Sequence, residues 1–331
     1  MPLLVCADTY RIATYAAPLS RDGPGLLLRD LQKATDPQIS AVQAVIAHVD
    51  PDILVLTDFD YDLEGRALTA FAAAFADRYP YQFAKSPNTG MATGRDLDQN
   101  GRTGEARDAQ GYGRFAGDGG LAILSAWPID HAVVTDFSTL LWKDLPGAVL
   151  PQKDGVPFIP PDVLAIQRLS TSAHWIVPVA LPHEETLHLM SFAATPPVFD
   201  GPEDRNGLRN RDELRLWEIV LDGGFGAVPS HFVIAGHANL DPRGGAGQSA
   251  AMAAFLDRPD LIDPVPGLPT ADWAEDGPGN LRVSYVLPSA NWQVVDAGVF
   301  WPAPDDSAAG LLGDDGLLAG VHHLVWVDIA R

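Results

Sequence analysis

Cysteine is almost missing from this sequence, which has one, Cys6, among 331 residues. A lone cysteine cannot form a disulfide within the chain, and its apolar neighbours favour a buried thiol on a strand over a reactive nucleophile. Long apolar runs are missing too, since no segment reaches the roughly 18 uninterrupted apolar residues of a membrane span. The N-terminus lacks a basic segment followed by an apolar run. We therefore expect no membrane span and a cytoplasmic protein.

Positive charge is also scarce. Lysine and arginine total 22 against 43 aspartate and glutamate residues, so the formal net charge is −21. Such a surface repels phosphate polyanions and disfavours nucleic acid as a partner, although metal ions that screen the site would still permit an acidic nuclease. Apolar residues make up 47% of the chain and charged residues 20%. This composition excludes disorder and favours one large domain over residues 1–331.

Two kinds of apolar pattern alternate along the chain. Helical spacing predicts helices at residues 36–49, 68–75 and 211–221. Short apolar runs predict strands at residues 11–15, 53–56, 121–124, 168–170, 175–179, 187–192, 232–235, 283–287, 293–296 and 324–327. Residues 86–120, rich in Gly, Asp, Asn and Arg, indicate a long surface loop of a functional kind. This order predicts a four-layered α/β sandwich, in which two mostly antiparallel sheets pack face to face with helices outside.

Six separated phrases carry a family resemblance. They are RIATY at 11–15, PDILVLTDFDYD at 51–62, TPPVFDGPEDRNG at 195–207, GHAN at 236–239, LRVSYVLPS at 281–289 and HHLVW at 322–326. In this order they resemble the endonuclease/exonuclease/phosphatase superfamily, in particular a bacterial branch with the PPVFDGPEDRNG phrase. The resemblance covers residues 11–329 and implies the layered fold described above. It also implies metal-assisted phosphoester hydrolysis, in which Mg²⁺ polarises the phosphoryl oxygen while a histidine and carboxylates activate water.

The resemblance assigns the family's metal ligands and catalytic groups to positions that this chain has largely changed. Ala16 stands where the family has an asparagine, and Asp58 stands where it has a metal-binding glutamate. Ala193 replaces a histidine, and His237 replaces the aspartate of an Asp-x-Asn pair whose asparagine, Asn239, is kept. Since hard divalent cations bind oxygen ligands, these changes remove much of the expected Mg²⁺ site.

The C-terminal motifs are changed in the same way. Ser284 replaces an aspartate, and Val321 replaces the aspartate that orients the last histidine, so His322 keeps its place without its carboxylate. Loss of such a carboxylate lowers turnover about 10⁴-fold in the serine proteases. His322 and Asn239 remain as catalytic candidates, and Asp58 and His237 as metal-binding ones. One loop keeps the family's residues at Asp200, Glu203, Asp204, Arg205 and Asn206.

A kept framework with a substituted site is the pattern of a pseudoenzyme, so we expect a catalytically silent binding or assembly protein that needs no cofactor. The alternative is a metal-dependent phosphoester hydrolase with a remodelled site and Mg²⁺ or another divalent metal. Histidine in place of carboxylate suits a transition metal such as Zn²⁺. The ligands of such a metal would come from Asp58, His237, Asn239, His322 and His323. The expected partner is a protein of unknown identity, and a small phosphoester is the second possibility.

Residues 96–101 resemble the first half of a calcium-binding loop. Asp96, Asp98 and Asn100 place oxygen ligands at alternate positions before Gly101. The twelfth position of such a loop is Arg107 here instead of a glutamate. A structural Ca²⁺ and an ordinary turn of Asp and Asn side chains both fit this pattern.

The main basic cluster lies in the third predicted helix and the segment before it. Arg209, Arg211 and Arg215 partly share one helical face, and Arg205 precedes them. A solvated helix face paired with nearby acidic residues is the favoured interpretation, and phosphate capture is the alternative.

Overall fold

The computed structural model describes residues 8–331. The prediction of a buried thiol at Cys6 lies outside the described residues. The helices are α1 (Leu26–Lys33), α2 (Pro37–Val49), α3 (Arg66–Ala72), α4 (Pro161–Leu164), α5 (Arg205–Leu221) and α6 (Ser249–Leu256). Short 3-10 helices lie at Ala73–Phe75, Ala106–Asp108, His131–Val133, Trp142–Asp144 and Ser307–Leu312.

Fifteen strands are described along residues 8–331. They are β1 (Tyr10–Tyr15), β2 (Ile53–Phe59), β3 (Tyr81–Phe83), β4 (Gly120–Ser125), β5 (Thr135–Asp136), β6 (Gln152–Lys153), β7 (Val156–Pro157), β8 (His174–Leu181), β9 (Glu185–Ala193), β10 (Phe232–His237), β11 (Ala271–Asp272), β12 (Asn280–Leu281), β13 (Ser284–Pro288), β14 (Gln293–Val299) and β15 (Val325–Ala330). The long segment between β3 and β4 holds only the 3-10 helix Ala106–Asp108 within this described range.

The strands form two large sheets. The first has the order β14-β15-β1-β2-β4-β3 and is parallel only between β1 and β2, which the helices α1 and α2 connect. The second has the order β13-β10-β9-β8-β5 and is parallel only between β9 and β10, which α5 connects. A helical crossover is what a parallel neighbour requires, whereas the antiparallel pairs need only shorter turns.

Side chains alternate between the two faces of each sheet and so build three cores. In β2, Ile53 and Val55 pack between the sheets, while Leu54 and Leu56 pack beneath the helices α2 and α3. The second sheet is arranged in the same way, because its outer face packs against α5 through Trp217. The predicted four-layered α/β sandwich is therefore confirmed.

Local chemistry explains where α2 begins and ends. The Asp36 carboxylate accepts a hydrogen bond from the Ile39 N–H at 3.0 Å, and Pro37 occupies the first helical position. At the other end Asp50 adopts a left-handed conformation with φ 52° and stops the helix before Pro51. None of the helices in the described range is both long and apolar enough to cross a membrane.

One predicted strand is wrong. Residues 168–170 make only an isolated bridge between Arg168 and Leu141. Their backbone carbonyls instead accept hydrogen bonds from side chains: Arg209 donates to the carbonyls of Arg168 and Leu169, and Asn88 donates to that of Ser170 at 2.8 Å. A strand ladder is absent here because distant polar side chains take its place. The apolar spacing of the sequence also fails to predict helices α1, α4 and α6.

Candidate functional site

A cavity of about 930 Å³ opens where several strand ends meet. Strands β1, β2, β9 and β10 end at this edge of the sandwich, and β13, which is antiparallel to β10, begins there. Six of the positions that the resemblance assigns line the cavity wall: Ala16, Asp58, Ala193, His237, Asn239 and His322. The fold thus brings together residues that are far apart in the sequence.

Three substituted positions form one row across the second sheet. His237 is paired in register with Ala193 on one side and with Ser284 on the other. The His237 Nδ1 atom lies 2.9 Å from the Ser284 Oγ atom, and both side chains are buried. Val321 is not part of this row and is not among the residues that line the cavity. Its carbonyl accepts a hydrogen bond from the Asp272 N–H at 2.8 Å.

Two imidazoles meet on the cavity wall. The ring centroids of His237 and His322 are 4.6 Å apart with the rings nearly perpendicular, and the ring centroids of Trp273 and His322 are 5.2 Å apart, also nearly perpendicular. Burial, with a smaller contribution from the neighbouring His323, lowers the pKa of His322 to about 4. Burial also holds the pKa of His237 well below its usual value, with His322 adding to the effect. Both rings are therefore neutral at pH 7.

Asp58 stands at an irregular point in β2. The pairing of β2 with β4 shifts register between Thr57 and Phe59, and Asp58 has the left-handed φ of 74°. Its side chain faces the cavity next to Gly119, where a Cβ atom would lie 2.7 Å from the Asp58 Oδ1 atom. The protein that surrounds Asp58, together with the negative charges of Asp60 and Asp118, raises the pKa of Asp58 to about 8, while the residue itself stays exposed to the cavity.

The candidate ligands do not share a metal-binding position. Along residues 8–331, one group of three or more His, Cys, Asp or Glu side chains brings its ligand atoms within 4.8 Å of one another, and that group is Asp96, Asp98 and Asp108. The ligand atoms of Asp58, His237 and His322 therefore do not all lie within 4.8 Å of one another. His323 is also directed elsewhere, because its ring stacks on Trp301 at 4.0 Å. The Asn239 amide donates to the Ala194 carbonyl at 2.8 Å.

The calcium-like loop is held by its own hydrogen bonds. Asp96 accepts from the Gly101 N–H at 2.8 Å, and Asp108 accepts from the Leu97 N–H at 2.9 Å. The Arg107 guanidinium lies 3.1 Å from Asp98. Asn100 is not in the carboxylate cluster: its Oδ1 atom accepts from the Arg102 N–H at 2.8 Å, and its amide donates to Glu105 at 2.7 Å.

These contacts show how the loop differs from the sequence expectation. The carboxylates of Asp96, Asp98 and Asp108 are close enough to hold a metal, but the sequence reading proposed Asn100 as the third ligand and did not include Asp108. Arg107 already supplies positive charge to the cluster. The turn interpretation accounts for every contact of the loop named here.

The loop that keeps the family's residues forms part of the cavity rim. Its Asn206 amide donates to the Val198 carbonyl at 2.6 Å, and Asp200 accepts from the Asn206 N–H. Glu203 accepts from the Gly201 N–H at 3.2 Å, and Arg205 donates to the Leu97 carbonyl at 2.8 Å. Asp204 precedes α5 with the left-handed φ of 53°. Burial, with the charge of Asp200, raises the pKa of Asp204.

Arg209 is neither part of a solvated helix face nor free to capture phosphate. Its side chain is buried, with 7% of its surface exposed, and it donates to the carbonyls of Gln110, Arg168, Leu169 and Ser170. The other arginines of this cluster are partly exposed, and Arg211 and Arg215 pair with Asp212 and Glu218. The predicted solvated face is therefore wrong for Arg209, because the loop before β8 covers it.

The sequence reading missed several polar and aromatic groups of the cavity. Thr57 and Thr89 line the wall with buried hydroxyls that have no hydrogen-bond partner within the described chain. Phe199 and Tyr112 stand at the wall with 86% and 62% of their surfaces exposed. The alternation of β2 could have placed Thr57 on the inner face with Ile53 and Val55, but no sequence signal marks the two aromatic residues.

Comparison with protein families gives one match over most of the chain. The model described as the endonuclease/exonuclease/phosphatase family matches residues 30–314. This match confirms the resemblance drawn from the six phrases. No curated protein matches the chain in sequence.

Solved structures share the fold at low sequence identity. An endonuclease/exonuclease/phosphatase from Beutenbergia cavernae is 18% identical with a TM-score of 0.57, covering 97% of this chain and 71% of its own. A family protein from Leptotrichia buccalis is 11% identical with a TM-score of 0.54, and the match covers 97% of this chain and 100% of that protein. Sphingomyelinase C from Streptomyces griseocarneus is 17% identical with a TM-score of 0.52, and the match covers 98% of this chain and 100% of the sphingomyelinase. At sequence identities this low, the structural similarity is evidence for a shared fold alone.

Proposed function

The chain belongs to the endonuclease/exonuclease/phosphatase family, and from this premise we propose that it is a non-hydrolytic member that binds a partner through its cavity. The observation that carries the proposal is the row Ala193, His237 and Ser284 across three neighbouring strands. In this row a methyl group, a neutral imidazole and a hydroxyl replace the histidine and two aspartates that the resemblance places there. All three changes reduce the capacity of the cavity to hold a cation and a phosphoryl group.

The remaining donors give Mg²⁺ fewer ligands than the resemblance assigns to the family. Mg²⁺ takes about six oxygen ligands, of which one or two are usually protein carboxylates and several are waters or substrate phosphate oxygens. Of the assigned positions only Asp58 offers a carboxylate and Asn239 an amide oxygen, while Ala16 offers none. Nδ1 of His237 is already hydrogen-bonded to Ser284. We therefore derive no hydrolytic step through a metal in this cavity.

The mouth of the cavity supports a protein partner. Phe199 has 86% of its surface exposed and a left-handed φ of 69°, an unfavourable conformation for an aromatic residue. Exposed aromatic side chains and backbone strain of this kind concentrate at binding sites. A small phosphoester is the second candidate, and it would have to enter past the same rim.

Hydrolysis assays test the proposal. Wild type, His322→Ala and the control His131→Ala, which lies outside the cavity wall, would be incubated with an activated phosphodiester and with plasmid DNA in Mg²⁺, Mn²⁺ or Zn²⁺. We expect no metal-dependent hydrolysis above the buffer rate in any of the three. Metal-dependent hydrolysis that persists in His131→Ala and disappears in His322→Ala would contradict the proposal and establish a remodelled hydrolase.

A further inference from the structure

Three buried polar side chains open into the cavity. Gln167, Ser172 and Thr195 line it, with 2%, 4% and 7% of their surfaces exposed. The amide and the two hydroxyls make no hydrogen bond within residues 8–331, and none of them is enclosed in the way that the hydroxyls of Thr57 and Thr89 are. The small surface that these three residues expose therefore includes their polar ends.

Gln167 is held in place through its backbone. Its N–H donates to the Val163 carbonyl at 2.9 Å, and its carbonyl accepts from the Trp142 N–H at 3.0 Å. The next carbonyl along the chain, that of Arg168, accepts from the buried Arg209 at 2.9 Å. The side-chain amide is thus the polar group of Gln167 that remains for a ligand.

Helix α5 brings the three side chains to one part of the cavity wall. Its Glu213 accepts from the N–H of Thr195 at 2.7 Å and from the N–H of the residue before Ser172 at 2.5 Å. Arg209, which holds the carbonyl next to Gln167, lies four residues earlier in the same helix. About one helical turn, roughly 5.4 Å, therefore separates the two anchors of these segments.

We propose that Gln167, Ser172 and Thr195 bind the main-chain amides of an extended peptide segment that enters the cavity. This inference rests on the proposed function and names the part of the partner that the cavity receives. The Gln167 side chain carries the same donor and acceptor pair as a peptide group, so the two groups can exchange two hydrogen bonds. The hydroxyls of Ser172 and Thr195 each offer a donor and an acceptor to the neighbouring peptide groups.

The displacement of water explains why the ligand needs amide groups. Water satisfies the three side chains while the cavity is open, and a ligand that removes this water without replacing its hydrogen bonds loses affinity. A hydrocarbon would leave an amide and two hydroxyls unpaired. A carboxylate or phosphate brings acceptors alone and an ammonium group brings donors alone, whereas Gln167 needs one of each.

The rest of the cavity favours a peptide over a nucleic acid. A nucleobase can pair with a carboxamide in the same way, but the net charge of −21 repels a polynucleotide. Leu97, Phe158 and Pro196 line the same cavity and offer apolar contacts to the side chains of the segment. The volume of about 930 Å³ is that of a pocket for a drug-sized molecule, which a tripeptide is.

Calorimetry tests the inference with acetyl-trialanine amide and with its ester analogue, in which oxygen atoms replace the internal peptide N–H groups. We expect wild type to bind the peptide about tenfold more tightly than the ester, because the ester cannot donate to the Gln167 oxygen. This comparison needs no variant. In Gln167→Met, which keeps the length of the side chain, the difference between peptide and ester should disappear.

The variants test the same contact from the side of the protein. Gln167→Met should bind the peptide about tenfold or more weakly than wild type, and Ser172→Ala should weaken binding less. Gln32→Met makes the same change at an exposed position of α1, outside the cavity wall, and should bind as wild type does.

The outcomes separate this inference from the proposed function. No peptide binding at about 10 mM, equal binding of peptide and ester, or equal weakening by Gln167→Met and Gln32→Met would overturn the peptide subsite while the absence of hydrolysis still stood. Tighter binding of adenosine or maltose than of the peptide would overturn it in the same way. Metal-dependent hydrolysis would overturn the proposed function itself.

Discussion

At the residue scale, His237 and Ser284 behave as one unit although 47 positions separate them. A buried imidazole needs a hydrogen-bond partner, and the short Ser284 side chain brings its oxygen to 2.9 Å from the His237 Nδ1 atom. An aspartate at position 237 would instead face Ala193, Ser284 and a neutral His322. Such a carboxylate would be a buried charge without compensation, so the substitutions of this row are physically coupled.

Asp58 gives a prediction at the same scale. The surrounding protein raises its pKa in the folded state to about 8, with Asp60 and Asp118 adding to the shift, whereas the unfolded chain ionises near pH 4. Asp58 is exposed to the water of the cavity, which screens these charges, so its ionisation lowers the free energy of unfolding only modestly as pH rises from about 4 to about 8. Asp58→Asn removes this cost and should unfold at a higher temperature than wild type at pH 8.5, with no such advantage at pH 4.

Thermal unfolding followed by circular dichroism at both pH values measures this difference. Asp154→Asn, on an exposed turn between β6 and β7, is the control and should match wild type throughout. If Asp58→Asn shifted the melting temperature equally at pH 4 and pH 8.5, its effect would come from packing and the ionisation argument would be wrong.

At the element scale, α5 uses polar side chains to hold the loops that shape the cavity. The Asn210 amide donates at 2.7 Å to both the Thr195 and the Ala238 carbonyls, and so joins the segments that follow β9 and β10. Asp212 accepts from the indole N–H of Trp142 at 2.8 Å. Burial raises the pKa of Glu213 to about 7, while Arg209 and two backbone N–H groups favour its charged form.

Glu213→Ala should therefore destabilise the protein strongly. Glu213 is fully buried and accepts from the N–H groups of Thr171 and Thr195, so its removal leaves two buried donors unpaired and removes a negative charge that the buried Arg209 favours. Each buried donor left unpaired costs about 1 to 3 kcal/mol. Urea unfolding would measure the change in the free energy of unfolding.

The matched control is a glutamate of the same helix. Glu218 lies 3.6 Å from Arg215 in a partly exposed ion pair, and Glu218→Ala should cost about 0 to 1 kcal/mol. Comparable losses in Glu213→Ala and Glu218→Ala would contradict the role assigned to the buried carboxylate.

At the scale of the whole molecule, the two sheets share the central core. Residues of the first sheet such as Ile12 and Val55 share one buried apolar cluster with Trp175, Leu189 and Val233 of the second. Neither inner face could be exposed to water without a large loss of apolar burial. We propose on this ground that residues 1–331 form a single domain.

A single domain predicts one cooperative unfolding transition. Differential scanning calorimetry should give one peak, and a substitution in either sheet, such as Val55→Ala or Val233→Ala, should move the whole peak to lower temperature. Two separable peaks, of which only one responded to Val233→Ala, would show that the sheets unfold independently.

The sequence determined the local elements and the family framework. Asp36 and Pro37 define the start of α2, and the apolar runs define the central strands, because these signals act between neighbours in the chain. The six phrases were sufficient to predict the layered fold, and six of the positions that the resemblance assigns to metal binding and catalysis lie on the cavity wall. The prediction failed where distant side chains replaced local pairing, as at residues 168–170.

Only the tertiary structure decided how the site is built. Contacts between distant segments set the 2.9 Å approach of His237 to Ser284, the burial of Arg209 and the exposure of Phe199. The same holds for Asp58, whose left-handed backbone and missing donor depend on Gly119 and the register shift against β4. Sequence patterns record which face of a helix or strand is apolar. The hydrogen-bond partners and the ionisation of a side chain depend instead on which helices, strands and loops the fold brings next to it.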